Sequence, residues 1–391
     1  MKIDKARPSH WLWLSMFALQ ALVGLGLRVL GVRSRRASVI LYGHKLNGNL
    51  LALYRAMVTE QAKTPFRPVF LSMDRRYCRE LKADGVEARW ACSISGAWLL
   101  ATSSALVSDH GLHALQPLHS AYRRLGLRFF DVWHGIPFKG FDADDFRLQH
   151  RYDEVWVASD LCRQMYVEKF GFDPSHVVVT GYPRTDRLVH PVDAQCVHRA
   201  ALGLPLEGKL ILFAPTWAQD AAGRNLYPFG CDGGMFLDAL ATAARRHGAG
   251  VILRTHLNSG DITWQGHENV HALPGSQYPD AEAILLASDM LVCDWSSIAF
   301  DFLLLDRPTF FLDVPAPFRK GFSLGPEYRF GAVVGDLQSL VDSLERALST
   351  PDMYWDTHAS RHASIREQVY GASADWNASA RCLAQLRAAV D

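Results

Sequence analysis

The sequence has no paired-cysteine signature. Its seven cysteines (Cys78, Cys92, Cys162, Cys196, Cys231, Cys293 and Cys382) are odd in number and scattered, and no two stand in a C-x-x-C spacing. That pattern argues against a disulfide framework or a zinc ribbon and reads as mostly buried thiols in a reducing compartment. Charge of one sign is also missing. With 41 Lys and Arg against 40 Asp and Glu, net charge leaves no electrostatic footprint for nucleic acid, and none is expected as a partner. There is no short-period repeat and no low-complexity tract. What remains is ordinary globular composition, 49 % hydrophobic and 21 % charged over 391 residues, which corresponds to about two domains.

Long apolar runs are scarce, and one stands out. Residues Trp11 to Leu27 read WLWLSMFALQALVGLGL, with Lys2, Lys5 and Arg7 before them and Arg28, Arg33, Arg35 and Arg36 after. No small-x-small cleavage site follows, and the basic cluster opposes export, which disfavours a cleaved signal. The run is slightly short for the roughly 20 residues of a full span. Ser15, Gln20, Gly24 and Arg28 recur at nearly helical spacing and make a narrow polar stripe. Trp11 and Trp13 suit the headgroup level, and the flanking arginines suit anionic lipid. Residues 1–36 are therefore read as a helix lying in or spanning the inner membrane. The protein would then sit at the cytoplasmic face, peripheral or anchored by a single helix. A helix that is apolar nearly all round also fits a buried core position, and that alternative stays open.

After Arg36 the texture changes. ASVILYG, FRPVFLS, ALVSDHG, LRFFDVWHG, YDEVWVAS and HVVVTGYP are short apolar strands that end at Gly, Ser or His, with helical stretches such as NLLALYRAMVTEQA between them. From residue 208 a second series follows: KLILFAPTW, AGVILRTH, DMLVCDWSS and RPTFFLDV. Strands alternating with helices imply βαβ units and parallel sheets covered on both faces. The expected fold class is α/β, with two doubly wound Rossmann-like domains facing a central cleft. The first domain spans 37–187 and the second 188–391, and GYPRTDRLVHPVDAQ is the hinge. Ligands in such sheets bind beyond the carboxyl ends of the strands, so the residues just after each strand carry the interest.

His134, in WHGIPFKG, follows the strand LRFFDV. An imidazole there can take a proton from an attacking hydroxyl, and Gly135 lets backbone approach closely. Lys139 in the same segment suits a phosphate or is a solvated lysine. Thr216, after Pro215 in ILFAPTW, suits a phosphate or base contact or is a plain turn residue. Arg254 and His256 alternate in VILRTH, so they share one face of a strand end, and together they suit a diphosphate that must lose a phosphoryl group. Ser296 and Ser297 in DWSSIAFDF stand where a helix begins, with Asp301 in its first turn. Two hydroxyls there suggest an anion site, where plain N-capping needs one. Metal readings are declined. HENVH (267–271) lies between glycine and a Pro-Gly turn rather than on a long helix. Asp142-Ala-Asp144 is a short match in a charged loop. Gly24-Leu-Gly26 lacks the third glycine of a dinucleotide fingerprint. No metal and no cofactor is expected.

Taken in order, YGHKLNGNLLALY, WHGIPFKGF, YDEVWVAS, GYPRTDRL, ILFAPTW, VILRTH and DMLVCDWSSIAFDFLLLDRPTFF resemble the CDP-glycerol glycerophosphotransferase family of teichoic acid and capsule synthesis, over roughly residues 37–345. The resemblance implies the two-domain GT-B fold. It implies transfer of glycerol phosphate, or a related polyol phosphate, from CDP-glycerol or CDP-ribitol to a lipid-linked glycan or polymer, with release of CMP. It marks His134 as the base and His256, with Arg254, as the second essential histidine region. Thr216, Ser296, Ser297 and Asp301 then belong to the donor wall, Arg184 is the hinge arginine on the donor side, and Asn47 and Asn49 face the acceptor with Lys139. The chain departs from the family at His256-Leu257, where His-Pro is common, and at Asp294-Trp295-Ser296-Ser297, where Asp-Tyr-Ser-Ser is usual; the first departure leaves the donor's polyol open. Two other readings compete. One is a nucleotide-sugar glycosyltransferase of the same fold, the other an inactive membrane-bound scaffold that binds polymer.

Overall fold

The computed structural model describes residues 7–32, 37–60, 66–216, 227–254 and 266–390. The chain divides into two compact units. The first comprises Met1–His134, Ala143–Arg184 and Asn377–Asp391, and the second Gly135–Asp142 and Thr185–Trp376.

The first unit is built on a seven-stranded sheet. Its strands are β1 (Ser38–Tyr42), β2 (Arg67–Ser72), β3 (Ala88–Trp90), β4 (Ala105–Ser108), β5 (Arg128–Asp131), β6 (Glu154–Val157) and β7 (Val177–Val179). They lie in the order β3-β2-β1-β4-β5-β6-β7. Every pairing is parallel, with Ile40 of β1 opposite Val69 on one side and Leu106 on the other. All five residues of β1 are buried, as a parallel strand covered on both faces requires, which is why SVILY reads as a continuous apolar run rather than an alternating one. The strand order reverses between β1 and β4, and loops leaving those two strands diverge to frame a crevice.

The second unit repeats the plan with β8 (Leu210–Ala214), β9 (Gly250–Leu253), β10 (Val270–Ala272), β11 (Met290–Cys293), β12 (Thr309–Leu312) and β13 (Ala332–Val334). The order is β10-β9-β8-β11-β12-β13, again parallel throughout, and the reversal falls between β8 and β11. Phe213, Phe236, Leu240, Val292 and Phe310 pack into one core on a face of this sheet.

The sequence-derived ranges 37–187 and 188–391 take no account of two excursions. Helix Ala378–Val390 returns to the first unit, where Cys382, Leu383 and Leu386 join Leu50, Leu53 and Met57 in one core. Residues 135–142 belong with the second unit. There Phe138 is buried against Phe300 (ring centroids 4.6 Å) and Trp295 (5.8 Å), and Gly140 donates its N–H to the Gly321 carbonyl at 2.8 Å. A Cβ on Gly140 would stand 2.3 Å from the Lys320 carbonyl oxygen, so only glycine fits that approach.

The N-terminal apolar run forms helix Pro8–Val29, long and apolar enough by length and composition to cross a membrane. It docks on helix Ile94–Thr102, with Phe17 and Ala21 fully buried. The polar stripe read from the sequence has another role in part. Gly24 packs closely against Ala97 and Leu100 of that helix, and Arg28 turns into the protein. The Arg28 guanidinium donates to the carbonyls of Leu100, Ala101 and Ser103 at 3.3, 3.0 and 2.7 Å, and to Leu125 at 3.0 Å. Those at Leu100 and Ala101 are C-terminal carbonyls of a helix that lack intrahelical partners, so Arg28 acts as a C-cap rather than a lipid contact. The opposite face is apolar and open. Trp11, Leu12, Leu19 and Leu22 are each more than half exposed, and Ile94 and Trp98 of the neighbouring helix continue that surface.

The two helical glycines distinguish close packing from propensity. A Cβ on Gly24 would meet the Tyr122 hydroxyl at 2.7 Å and the Ala97 carbonyl at 2.8 Å, whereas one on Gly26 would meet nothing within 4 Å. Gly26→Ala should therefore stabilise by about 0.5–1 kcal/mol, and Gly24→Ala should destabilise by about 1–3 kcal/mol. Thermal melting of the two variants measures the opposite signs.

Candidate functional site

The first unit gathers polar side chains at the exits of β1, β4 and β5. Asn49, in the first turn of helix Gly48–Thr59, is buried. Its amide nitrogen donates to the carbonyls of Val132 (2.9 Å) and Trp133 (2.7 Å), and its oxygen accepts from the Arg184 N–H at 3.2 Å. Arg184 in turn donates from Nη1 to the His134 carbonyl at 2.7 Å. Asn49 and Arg184, expected to meet acceptor and donor, therefore spend these groups on holding the Trp133-His134 turn. That turn is strained: Trp133 has φ +26°, a region non-glycine residues rarely adopt, and its N–H is held by Asp131 Oδ1 at 2.9 Å. Asn47 is the residue before the helix, and its side chain makes no capping bond.

His134 Nδ1 lies 3.2 Å from the Asp109 carbonyl oxygen. A carbonyl only accepts, so Nδ1 carries the hydrogen and Nε2 keeps its lone pair. The residue stays open to solvent while its ring is hemmed in by Trp133 (centroids 4.3 Å) and His110 (4.8 Å, planes 7° apart). Enclosure of the ring, tempered by the residue's exposure, and then the charges of His110 and Arg184 lower its pKa, only partly opposed by Asp109. At neutral pH it is an unprotonated base.

Three more imidazoles stand beside it. His110 Nδ1 donates to Asp109 Oδ1 at 2.7 Å. Burial lowers its pKa, but the Asp109 charge and hydrogen bond, with Asp131, outweigh that and raise it. His44 lies 4.6 Å from His110 and 5.4 Å from His113, centroid to centroid, and the Tyr42 hydroxyl is 2.7 Å from His113 Nδ1. Burial first, then the neighbouring His110, lowers His44 to about 3, and burial is the first cause that lowers His113 to about 4, with His110 a smaller one. A Cβ on Gly43 would fall 2.4 Å from Asp109 Oδ1, so the glycine makes room for that carboxylate. Among the described residues no three His, Cys, Asp or Glu side chains are placed to share a metal ion. His44, Asp109, His110 and His113 were missed in the sequence, although YGH and SDHG end strands by the same rule that picked out His134.

In the second unit the β8 and β11 exits meet at the strand-order reversal. Thr216 donates its N–H (2.8 Å) and its hydroxyl (2.5 Å) to Asp294 Oδ1, and both residues are buried. Thr216 is thus a partner of Asp294. Arg254, the residue after β9, is half-buried and donates to the Tyr278 carbonyl at 3.0 Å; burial lowers its pKa, against Glu282 and Asp280. His256 lies outside the described residues. Ser296 and Ser297 are half-buried, and the Ser297 side chain makes no capping bond. The helix they precede, Ile298–Leu303, has only six residues, so its dipole is small and the hydroxyls are the groups left to meet an anion. Asp301 is buried inside that helix. Trp295 is fixed from below by Arg329, whose guanidinium lies 3.7 Å from its ring, and by donation to the Val314 carbonyl at 2.8 Å. Lys139 is grouped with this unit, where it forms a β-bridge with Phe322.

Two doubly wound parallel sheets, each with its polar residues collected at the strand-order reversal, define the GT-B class of group transferases. Within that class the chain is a member of the CDP-Glycerol:Poly(glycerophosphate) glycerophosphotransferase family, whose model matches residues 28–385. It is 27 % identical to a teichoic acid glycerol-phosphate transferase of Staphylococcus aureus, over 60 % of this chain and 65 % of that protein. It is 24 % identical to a teichoic acid poly(glycerol phosphate) polymerase of Bacillus subtilis, over 79 % of this chain and 43 % of that one. The chain thus spans less than two thirds of the length of these relatives. The fold is similar to that of the wall teichoic acid polymerase TagF, with a TM-score of 0.72, 19 % identity, and coverage of 96 % of this chain and 97 % of that one.

Asp131 offers a test of the site's electrostatics. Burial raises its carboxyl to about 7, against the Trp133 N–H bond that lowers it. A carboxyl raised in the fold keeps its proton longer than in the unfolded chain, so its contribution to stability is full below the unfolded value near 4 and is lost as pH rises to about 7. Asp131→Asn keeps the acceptor for Trp133 and removes that loss. Relative to the unaltered protein, the variant should gain about 1–3 kcal/mol between pH 4 and pH 7.5, read from denaturant melts at the two pH values.

Proposed function

We propose that this protein transfers glycerol phosphate, or a closely related polyol phosphate, from a CDP-polyol to a hydroxyl of a membrane-linked acceptor and releases CMP. Family membership and the character of the relatives support the reaction class. The observation that carries the chemistry is the placement of His134, whose Nδ1 lies on the Asp109 carbonyl and whose Nε2 is thereby left to accept a proton. In the proposed step the acceptor hydroxyl gives its proton to Nε2 and its oxygen attacks the β-phosphorus of the donor. The bond from that phosphorus to the bridging oxygen breaks, and CMP leaves with the electron pair. No covalent intermediate is needed. The first unit serves the acceptor. In the second, Arg254 with His256 and the hydroxyls of Ser296 and Ser297 are proposed to offset charge on the donor phosphates. Thr216 and Asp294 shape that wall, while Asn49 and Arg184 position the base.

Both glycerol and ribitol donors fit, because the relatives include ribitol-phosphate polymerases of Staphylococcus aureus at 28–29 % identity. Purified protein should release CMP from one of CDP-glycerol and CDP-ribitol when membrane extract supplies the acceptor. His134→Ala should lower kcat about 10²- to 10⁴-fold with donor affinity mostly intact. Near-normal turnover in that variant sinks the assignment, and CMP release from neither donor sinks the reaction class.

The N-terminal helix is proposed to lie flat on the inner leaflet. One face is committed to the protein through Phe17, Ala21, Gly24 and Arg28, and the other, with Trp11, Leu12 and Leu19, is apolar and open, as are Ile94 and Trp98 of the neighbouring helix. A helix tied along its length to a folded unit cannot cross a bilayer without carrying that unit with it. Leu12→Glu combined with Trp98→Glu should cut flotation with anionic vesicles at least about tenfold, while transfer to a short soluble acceptor is little changed. Unchanged flotation argues against the face.

A further inference from the structure

We infer that His110, held by the Asp109 carboxylate and stacked on His134, is a positioning residue whose positive charge keeps the base free of protons. The inference rests on the reading of His134 as the base. Its geometry is local and complete. Asp109 spends its carboxylate on His110 Nδ1 at 2.7 Å and its backbone carbonyl on His134 Nδ1 at 3.2 Å. One residue therefore orients both rings, and it sets them stacked, centroids 4.8 Å apart with planes 7° from parallel. A carboxylate at hydrogen-bond distance favours the imidazolium form of His110. A cation at that separation opposes a second positive charge on His134, as does Arg184, while the Asp109 carboxylate opposes them both.

The titratable groups facing His110 from the elements around it are Asp109 on its own loop, Asp131 at the end of β5, His44 at the β1 exit, and the rings of His113 and His134. The Asp109 carboxylate, against rings whose own pKa values are lowered, leaves His110 as the cation of this cluster. This assigns different work to two histidines of one stack. His134 exchanges the proton, and His110 keeps its own. The arrangement extends the pH range over which His134 stays unprotonated, and it predicts that the sign of the charge at position 110, not the shape of the side chain, governs that range.

The discriminating pair is His110→Gln, which removes the charge, and His110→Arg, which keeps it; the side chain is one-third exposed, so both can be accommodated. On the full-length protein, the pH profile of kcat/KM for CMP release reports the protonation of the free base. His110→Gln should move the acid limb up by about one pH unit, and His110→Arg should leave it where the unaltered protein has it. Identical limbs in the Gln variant and the unaltered protein overturn the inference. So does an Arg variant that shifts as far as Gln, because the effect would then be one of packing. If the protein turns over neither donor, the functional reading falls, and NMR titration of the His134 ring in the same two variants decides the coupling by the same shifts. If the variants do not fold, the titration of His110 in the unaltered protein decides: a value above the ordinary range for histidine supports the inference, and one at or below it overturns it.

Discussion

Much of the first unit hangs on one buried amide. Asn49 can offer two N–H groups and one carbonyl oxygen, and it uses all three on backbone: Val132, Trp133 and Arg184. Those partners come from the end of β5 and from the last residues before the chain leaves the unit. A buried amide left without partners is costly, so the contacts are mutually enforcing. They hold Trp133 in a backbone conformation it would not choose alone, and that conformation aims His134. The donated bond from Arg184 to the His134 carbonyl closes the loop from the other side. Strain at this turn is sustained because packing and hydrogen bonds over-determine it.

Around that turn the electrostatics are arranged by contrast. Asp109 and Asp131 lie buried within one small region where their charges repel, and the balance is set by which imidazoles carry protons. His110 sits next to the Asp109 carboxylate, which raises its pKa. His44, His113 and His134 sit among rings and cations and have theirs lowered. The same residue type is thus shifted in opposite directions within a few ångströms, which is how a protein separates base from cation without changing side-chain chemistry. The second unit places a different set at the equivalent reversal in strand order: a hydroxyl bound to a carboxylate, two further hydroxyls and an aromatic ring resting on arginine. One topology therefore supports two chemistries, because the loops rather than the strands carry the functional groups.

The N-terminal helix shows how little composition says about direction. Its apolar character is visible at once, and so are its basic flanks. Its hydrogen-bonding arginine is not, because Arg28 looks like a membrane flank until Leu100, Ala101 and Ser103 present their carbonyls to it. Gly24 looks like part of a polar stripe until the neighbouring helix arrives.

The sequence by itself determined the class of fold and the general location of the chemistry. Strands buried on both faces must be continuous apolar runs, and their carboxyl ends must be polar and glycine-rich, so SVILY, VWHG and VCDWSS are legible to the eye. His134 was readable for that reason, and the order of motifs carried the family. Only the tertiary structure decided which residues converge. Asn49 and Arg184 are far apart in the chain and proved to be one device; His44 and His110 end different strands and meet only because β1 and β4 are neighbours at the reversal. The last helix joins the first core because its apolar face matches helix Gly48–Thr59, and residues 135–142 join the second unit because Phe138 finds Trp295 and Phe300 there. Local pattern reports what a segment buries. The partner it buries against is a property of pairing between distant segments, and no short window of sequence contains it.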